Sequence, residues 1–178
     1  PEYVMVPLVN MGGGPALTDT AYMLDPGSPG VQEYVISIVR ELVTNYAIDG
    51  IMWDYIRYVQ SDTGYPAYTS YTDSGLERFK RITGYVGTPP ATGETSWDNF
   101  RRREVTEIVR RARAEIAAIT TNPQQPVANA AALITQGGAP STFSSTNAWA
   151  RFQNWEEWMR VGFLDVGVPM NYDEDAVP

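Results

Sequence analysis

Asp49-Gly50-Ile51-Met52-Trp53-Asp54-Tyr55-Ile56-Arg57-Tyr58 is the stretch on which the fold turns. Asp49-Gly50 is a turn pair. The short apolar run Ile51-Met52-Trp53 reads as a strand buried in a parallel sheet. A polar cluster, Asp54 with Arg57 and Tyr58, follows at its C-terminal end. Alternation along a strand puts Met52 and Asp54 on one face and Ile51 and Trp53 on the other. If Ile51 and Trp53 pack on helices, Asp54 projects from the opposite face, where parallel α/β folds bind their ligands.

Upstream of this stretch, Ser28 to Tyr46 is the clearest helix. Ser28 can cap it and Pro29 suits its first position. Val31, Tyr34, Val35, Ile38, Val39, Leu42, Val43 and Tyr46 follow a three-four spacing that predicts one apolar stripe. Further upstream, Tyr3 to Val9 reads as a buried strand, although Pro7 is unusual in a central one. Gly12-Gly13-Gly14-Pro15 lacks the lysine and spacing of a phosphate loop and is read as a turn.

Downstream lies a long excursion, about 60–95, rich in Tyr, Thr, Ser, Gly and Pro, with a short helix expected at Ser74 to Arg81. A long helix is expected from Ser96 to Ile119, capped by Thr95 or Ser96. Its Arg101-Arg102-Arg103 run sits at the end that disfavours cations, so at least one arginine should have a partner elsewhere. Pro126 to Leu133 reads as a strand of small residues, and Gln136 to Asn147 as a loop. Trp155 to Val161 reads as a short helix ended by Gly162, and Leu164 to Met170 as the last strand, closed by Asn171-Tyr172-Asp173. Strands and helices alternating in this way predict about four parallel βα units in one domain spanning residues 1–178.

Composition removes several function classes. A net charge of -8 argues against nucleic acid and suits a neutral substrate. The absence of both Cys and His removes disulfides, Ser-His-Asp triads and imidazole metal sites. No ligand spacing argues for a metal, and no cofactor motif is present. No apolar run is long enough to span a bilayer. Acid–base chemistry then falls to carboxylates, Tyr or Lys.

Asp54 is the leading candidate. Its structural alternatives are an ion pair with Arg57 that holds the loop, or a carboxylate capping backbone amides. Asp49 and Asp165 begin strands and are read as turn or capping residues. Glycoside hydrolysis needs two carboxyl groups. Asp173 is the best second group within this stretch by face, with Glu174 and Asp175 beside it; the second group could also lie outside these residues. By alternation Gly167, Pro169, Asn171 and Asp173 share a face, and Gly167 with Ala128 to Ala132 would leave room inside.

Two segments carry a family resemblance. Leu24-Asp25-Pro26-Gly27-Ser28-Pro29-Gly30-Val31, then Tyr46-Ala47-Ile48-Asp49-Gly50-Ile51-Met52-Trp53-Asp54-Tyr55-Ile56-Arg57-Tyr58, resemble glycosyl hydrolase-like family 10. Phe79 to Gly84, Trp97 with Phe100 to Val105, and Gly162 to Asp165 leading to Pro169-Met170-Asn171-Tyr172 extend the likeness. The chain departs from the pattern at Met52, where the family often carries His, and at Val59, where Pro is usual. The resemblance implies a (β/α)8 TIM barrel, with this chain forming a partial barrel from its middle. The rest of the barrel, or a partner chain, would cover the open sheet edges. It implies a bacterial glycosidase-like protein of the cell envelope or exterior acting on an oligo- or polysaccharide. Asp54 and Asp173 would be catalytic. Arg57, Tyr58, Arg102, Asn171, Tyr172 and Trp53 would bind substrate. A non-catalytic carbohydrate-binding or structural barrel is the alternative.

Overall fold

The computed structural model describes residues 6–7, 17–18, 21–22, 24–58, 70–87, 90, 93–120, 126–135 and 142–171. The elements in chain order are β1 (Val6–Pro7), β2 (Leu17–Thr18), β3 (Ala21–Tyr22), α1 (Pro29–Asn45), β4 (Gly50–Trp53), β5 (Ser70–Tyr71), α2 (Asp73–Thr83), α3 (Thr95–Ile119), β6 (Ala128–Ile134), a 3-10 turn (Phe143–Ser145), α4 (Asn147–Ala150), α5 (Trp155–Arg160) and β7 (Val166–Met170).

The organising unit is a three-stranded parallel sheet in the order β4-β6-β7. Met52 lies opposite Ala130, and Ala130 opposite Val166. Helices connect each strand to the next, as a mixed α/β fold requires. Four parallel units are not what the described residues hold. Of the strand expected at Tyr3 to Val9, only Val6–Pro7 is described, and it pairs antiparallel with β5, outside the parallel sheet.

One face of the sheet carries the helices. Ile51 and Trp53 pack against Ile36 and Val39 of α1 and Ala112 and Ile116 of α3. Ala131 and Leu133 continue that face into a second cluster with Val105, Ile108, Val109, Phe152, Trp158 and Leu164. The indole of Trp53 donates to Asn129 Oδ1 at 2.7 Å, and Asn129 Nδ2 donates to the carbonyl of Phe163 at 2.7 Å. Neighbouring strands are thus pinned by side chains as well as by their ladder. Asp165, expected to be structural, accepts from the Asn129 amide at 2.8 Å and from Arg113 at 2.9 Å. The other face is more open at its flanking strands, although Ala132 and Ile134 of the central strand are buried on it. Met52, Val166 and Val168 stand on it, 56%, 44% and 37% exposed.

The face assignment of β7 differs from the expectation. Gly167 pairs with Ala131 and Pro169 with Leu133, on the helix side. A Cβ at Gly167 would meet Leu133 Cδ1 at 2.5 Å and the Met159 sulfur at 3.5 Å. Gly167 therefore accommodates Leu133 beneath α5 rather than opening the other face. Val166, Val168 and Met170 share the face of Met52.

Helix ends follow local chemistry, with small revisions. Ser28 holds the N-cap position of α1 but makes no cap bond; its hydroxyl accepts from Ser74 at 2.8 Å. Tyr34, Ile38 and Tyr46 of the predicted stripe are exposed, and burial centres on Val31, Gln32, Ile36 and Val39, the side that meets α3. Thr72 caps α2 by accepting from the Gly75 amide at 3.1 Å, and Gly84 ends it in the left-handed region. α3 starts at Thr95 with Glu94 as N-cap. The arginine run is partnered as expected. Arg101 pairs with Asp98 and Arg103 with Glu104, while Arg102 reaches the carbonyl of Trp149. Fully buried Glu104 also accepts from Gln32 of α1 at 2.8 Å and pairs with Arg78 of α2 at 3.0 Å, joining three helices. No helix among the described residues is long and apolar enough to cross a membrane.

Candidate functional site at the end of the fourth strand

The polar cluster after β4 is held in a tight, strained turn. Tyr55 adopts φ 54, a left-handed backbone that non-glycine residues rarely take. The Tyr55 amide donates to Asp54 Oδ1 at 2.8 Å, and the Arg57 amide donates to the Tyr55 carbonyl at 2.7 Å. Such a conformation costs about 1–3 kcal/mol and persists only where surroundings enforce it. Phe152, at φ 62, is the other left-handed non-glycine among the described residues. Its ring stands edge-on to Tyr58 at 5.4 Å and so packs on the segment that follows Tyr55.

Asp54 is exposed and continues the alternation of Met52. It forms no ion pair with Arg57 among the described residues. Of its two structural alternatives, the amide-capping one operates, on the next residue. Arg57 is buried, its guanidinium 4.3 Å from the centroid of the Tyr55 ring. Burial lowers the pKa of Arg57; Tyr55 and Asp54 oppose the shift, and the neighbouring charge of Arg151 adds to it.

Tyr58 is 1% exposed and turns inward, donating its hydroxyl to Asp25 Oδ1 at 3.0 Å. Burial, then the charge of Asp25, raise its pKa well above the ordinary value. Trp53 is half-buried on the helix side, its indole N–H committed to Asn129. Arg102 is buried and stacks on Trp149 at 3.6 Å, bonded to Asn99 Oδ1 at 2.9 Å. Burial lowers its pKa. Asn171 is exposed at the end of β7, its amide donating to the Pro169 carbonyl at 3.1 Å. Tyr172 and Asp173, with Glu174 and Asp175, lie outside the described residues.

Sequence reasoning did not assign a role to Asp25, and it organises the back of the site. It is 2% exposed and accepts bonds from the Gly27 amide at 2.8 Å, the Thr72 amide at 2.9 Å, the Thr72 hydroxyl at 2.7 Å and Tyr58. Burial raises its pKa, opposed by those same bonds. Arg101, fully buried behind Tyr58, lies over the rings of Phe152, Trp97 and Tyr58 at 4.3, 5.3 and 5.4 Å. Gln153 is a second unassigned residue. β6 outruns β4 by several residues, and Gln153 serves the exposed ladder there, accepting from the Ile134 amide at 2.8 Å and donating to the Ala132 carbonyl at 3.0 Å.

Residues 13–176 match the model of a family described as Glycosyl hydrolase-like 10. Over 40 residues the chain is 45% identical to glycosyl hydrolase DigH of Escherichia coli (strain K12), and to its counterpart in Shigella flexneri. That stretch covers 22% of this chain and 9% of the relatives' length.

Proposed function

The chain belongs to the glycosyl hydrolase-like 10 family, and from that premise we propose that it carries part of a glycoside hydrolase acting on a bacterial or extracellular polysaccharide. The observation that carries the reading is Asp54. An exposed carboxylate ends a parallel strand, on the face away from the helices, in a backbone turn strained at Tyr55. Asp54 serves as nucleophile or base. Its companion acid is Asp173 or a carboxylate elsewhere in the protein, and their separation sets retention or inversion. Arg57 lies beside the reacting sugar, Asn171 and Tyr172 hold hydroxyls, and Tyr58 and Arg102 support the wall behind them. The three parallel strands form one sector of a TIM barrel whose remaining strands cover the open edges. The protein works outside the cell or in its envelope.

Asp54→Asn in the full-length protein tests the reading. The amide keeps the size of the carboxylate but neither attacks nor accepts a proton. Turnover of bacterial glycans should fall by at least about a hundredfold while binding persists. Undiminished turnover would remove Asp54 from the chemistry. Glycan binding by the wild type without any cleavage would replace the enzyme with a non-catalytic carbohydrate-binding barrel.

A further inference from the structure

Arg57 is a buried cation with unfilled donors. It is 8% exposed, and among the described residues neither Nε nor Nη1 has a hydrogen-bond partner. Asp54, three residues away, does not pair with it; the Tyr55 ring occupies its face instead. Leaving a desolvated guanidinium with unpaired N–H groups costs more than leaving a neutral donor so. The Tyr55 side chain and the charge of Asp54 offset part of that cost and leave these two donors unfilled.

The surroundings are cationic as well. Arg151 lies close enough for its charge to act on Arg57, and its carbonyl accepts the Tyr58 amide at 3.2 Å. Phe152 links this segment to Arg102, touching Tyr58 on one side and lying 5.4 Å from the Arg102 guanidinium on the other. Arg102 Nε is also without a partner among the described residues. Arg57 and Arg151 act on one another as like charges in a chain whose formal charge is -8. The net charge favours a neutral ligand; the local arrangement favours an anion.

We infer that Arg57 anchors an anion subsite adjoining Asp54, and that the glycan taken there bears a carboxylate on the sugar held beside that residue. A guanidinium has two bidentate edges, Nε with Nη2 and Nη1 with Nη2, and each edge of Arg57 includes an unfilled donor. A carboxylate matches either edge. The inference rests on the glycosidase reading for its substrate class, though not for the existence of the subsite.

The test compares uronic-acid oligosaccharides of several backbones, each with its carboxyl-reduced counterpart, by calorimetry and by hydrolysis, using the full-length protein. At least one acidic member should bind about tenfold or more tighter than its neutral counterpart, the scale of a charge-assisted bond. Arg57→Met should abolish that preference, Arg57→Lys should retain part of it, and Asp54→Asn should keep it. Equal affinity for every acidic and neutral pair would overturn the subsite. So would binding of none, or a preference that survives Arg57→Met. Cleavage of neutral members without acidic preference would sink the subsite and leave the glycosidase standing. Acidic binding without cleavage would do the reverse.

Discussion

Tyr58 donates its hydroxyl to Asp25 Oδ1 at 3.0 Å, across 33 residues of chain. This bond ties the segment after β4, which carries Asp54, to the loop before α1. Asp25 Oδ2 holds the Thr72 amide and hydroxyl at the start of α2. One buried carboxyl therefore fixes three segments, and Asp54 is placed by a residue that never touches it.

Tyr58→Phe should destabilise the protein by about 1–2 kcal/mol, because Asp25 loses a donor it cannot replace with water. Hydrogen exchange should speed up in residues 54–58 and leave β6 unchanged. Equal protection in both forms would show that packing on Phe152, rather than the hydroxyl, holds the segment.

The pH response of Asp25 has a defined sign. Its folded pKa is raised above the ordinary 3.8, mainly by burial. Folding therefore favours the protonated form; the contribution is complete below pH 3.8 and is lost as pH rises through the folded value. The stability advantage of the wild type over Asp25→Asn, which does not titrate, should shrink from acid toward neutral pH in urea unfolding. An advantage that grows over that range would show that the four donors outweigh burial.

Gly75→Ala should destabilise by about 1–3 kcal/mol, although alanine is intrinsically the better helix former by about 1 kcal/mol. A Cβ there would run into Asp25 Oδ2 and lie 3.2 Å from the Thr72 hydroxyl. Thermal melts decide it; a stabilised variant would mean that Asp25 can retreat without cost.

Val168→Asp tests the barrel in the full-length protein. Val168 is 37% exposed on the sheet face that also carries Met52 and Val166. If further strands close over that face, the change should cost about 2–4 kcal/mol through burial of an unpaired charge. An unaltered melting temperature would show that the face stays wet and that the parallel sheet is not a barrel wall.

Much of the architecture was legible locally. The three-four spacing of Val31, Val35 and Val39, Pro29 at a helix start, and Gly162 after a helix end are short-range signals. The alternation through Ile51 and Trp53 put those residues on helices and left Asp54 exposed, because the side-chain period of a strand is a local property. α4 was missed, since four residues carry too little periodicity to register.

The sequence by itself determined which residues alternate, roughly where the longer helices lie, and which carboxylate ends the strand after Gly50. Tertiary structure alone decided which face of β7 meets the helices, since a period of two fixes parity but not direction. It also decided that Asp25 is a buried junction and that, among the described residues, two donors of Arg57 have no hydrogen-bond partner. Those facts depend on residues 33 to 47 positions apart being brought within hydrogen-bond distance, or failing to be. No local pattern encodes such distances; they arise only when the helices pack on the sheet.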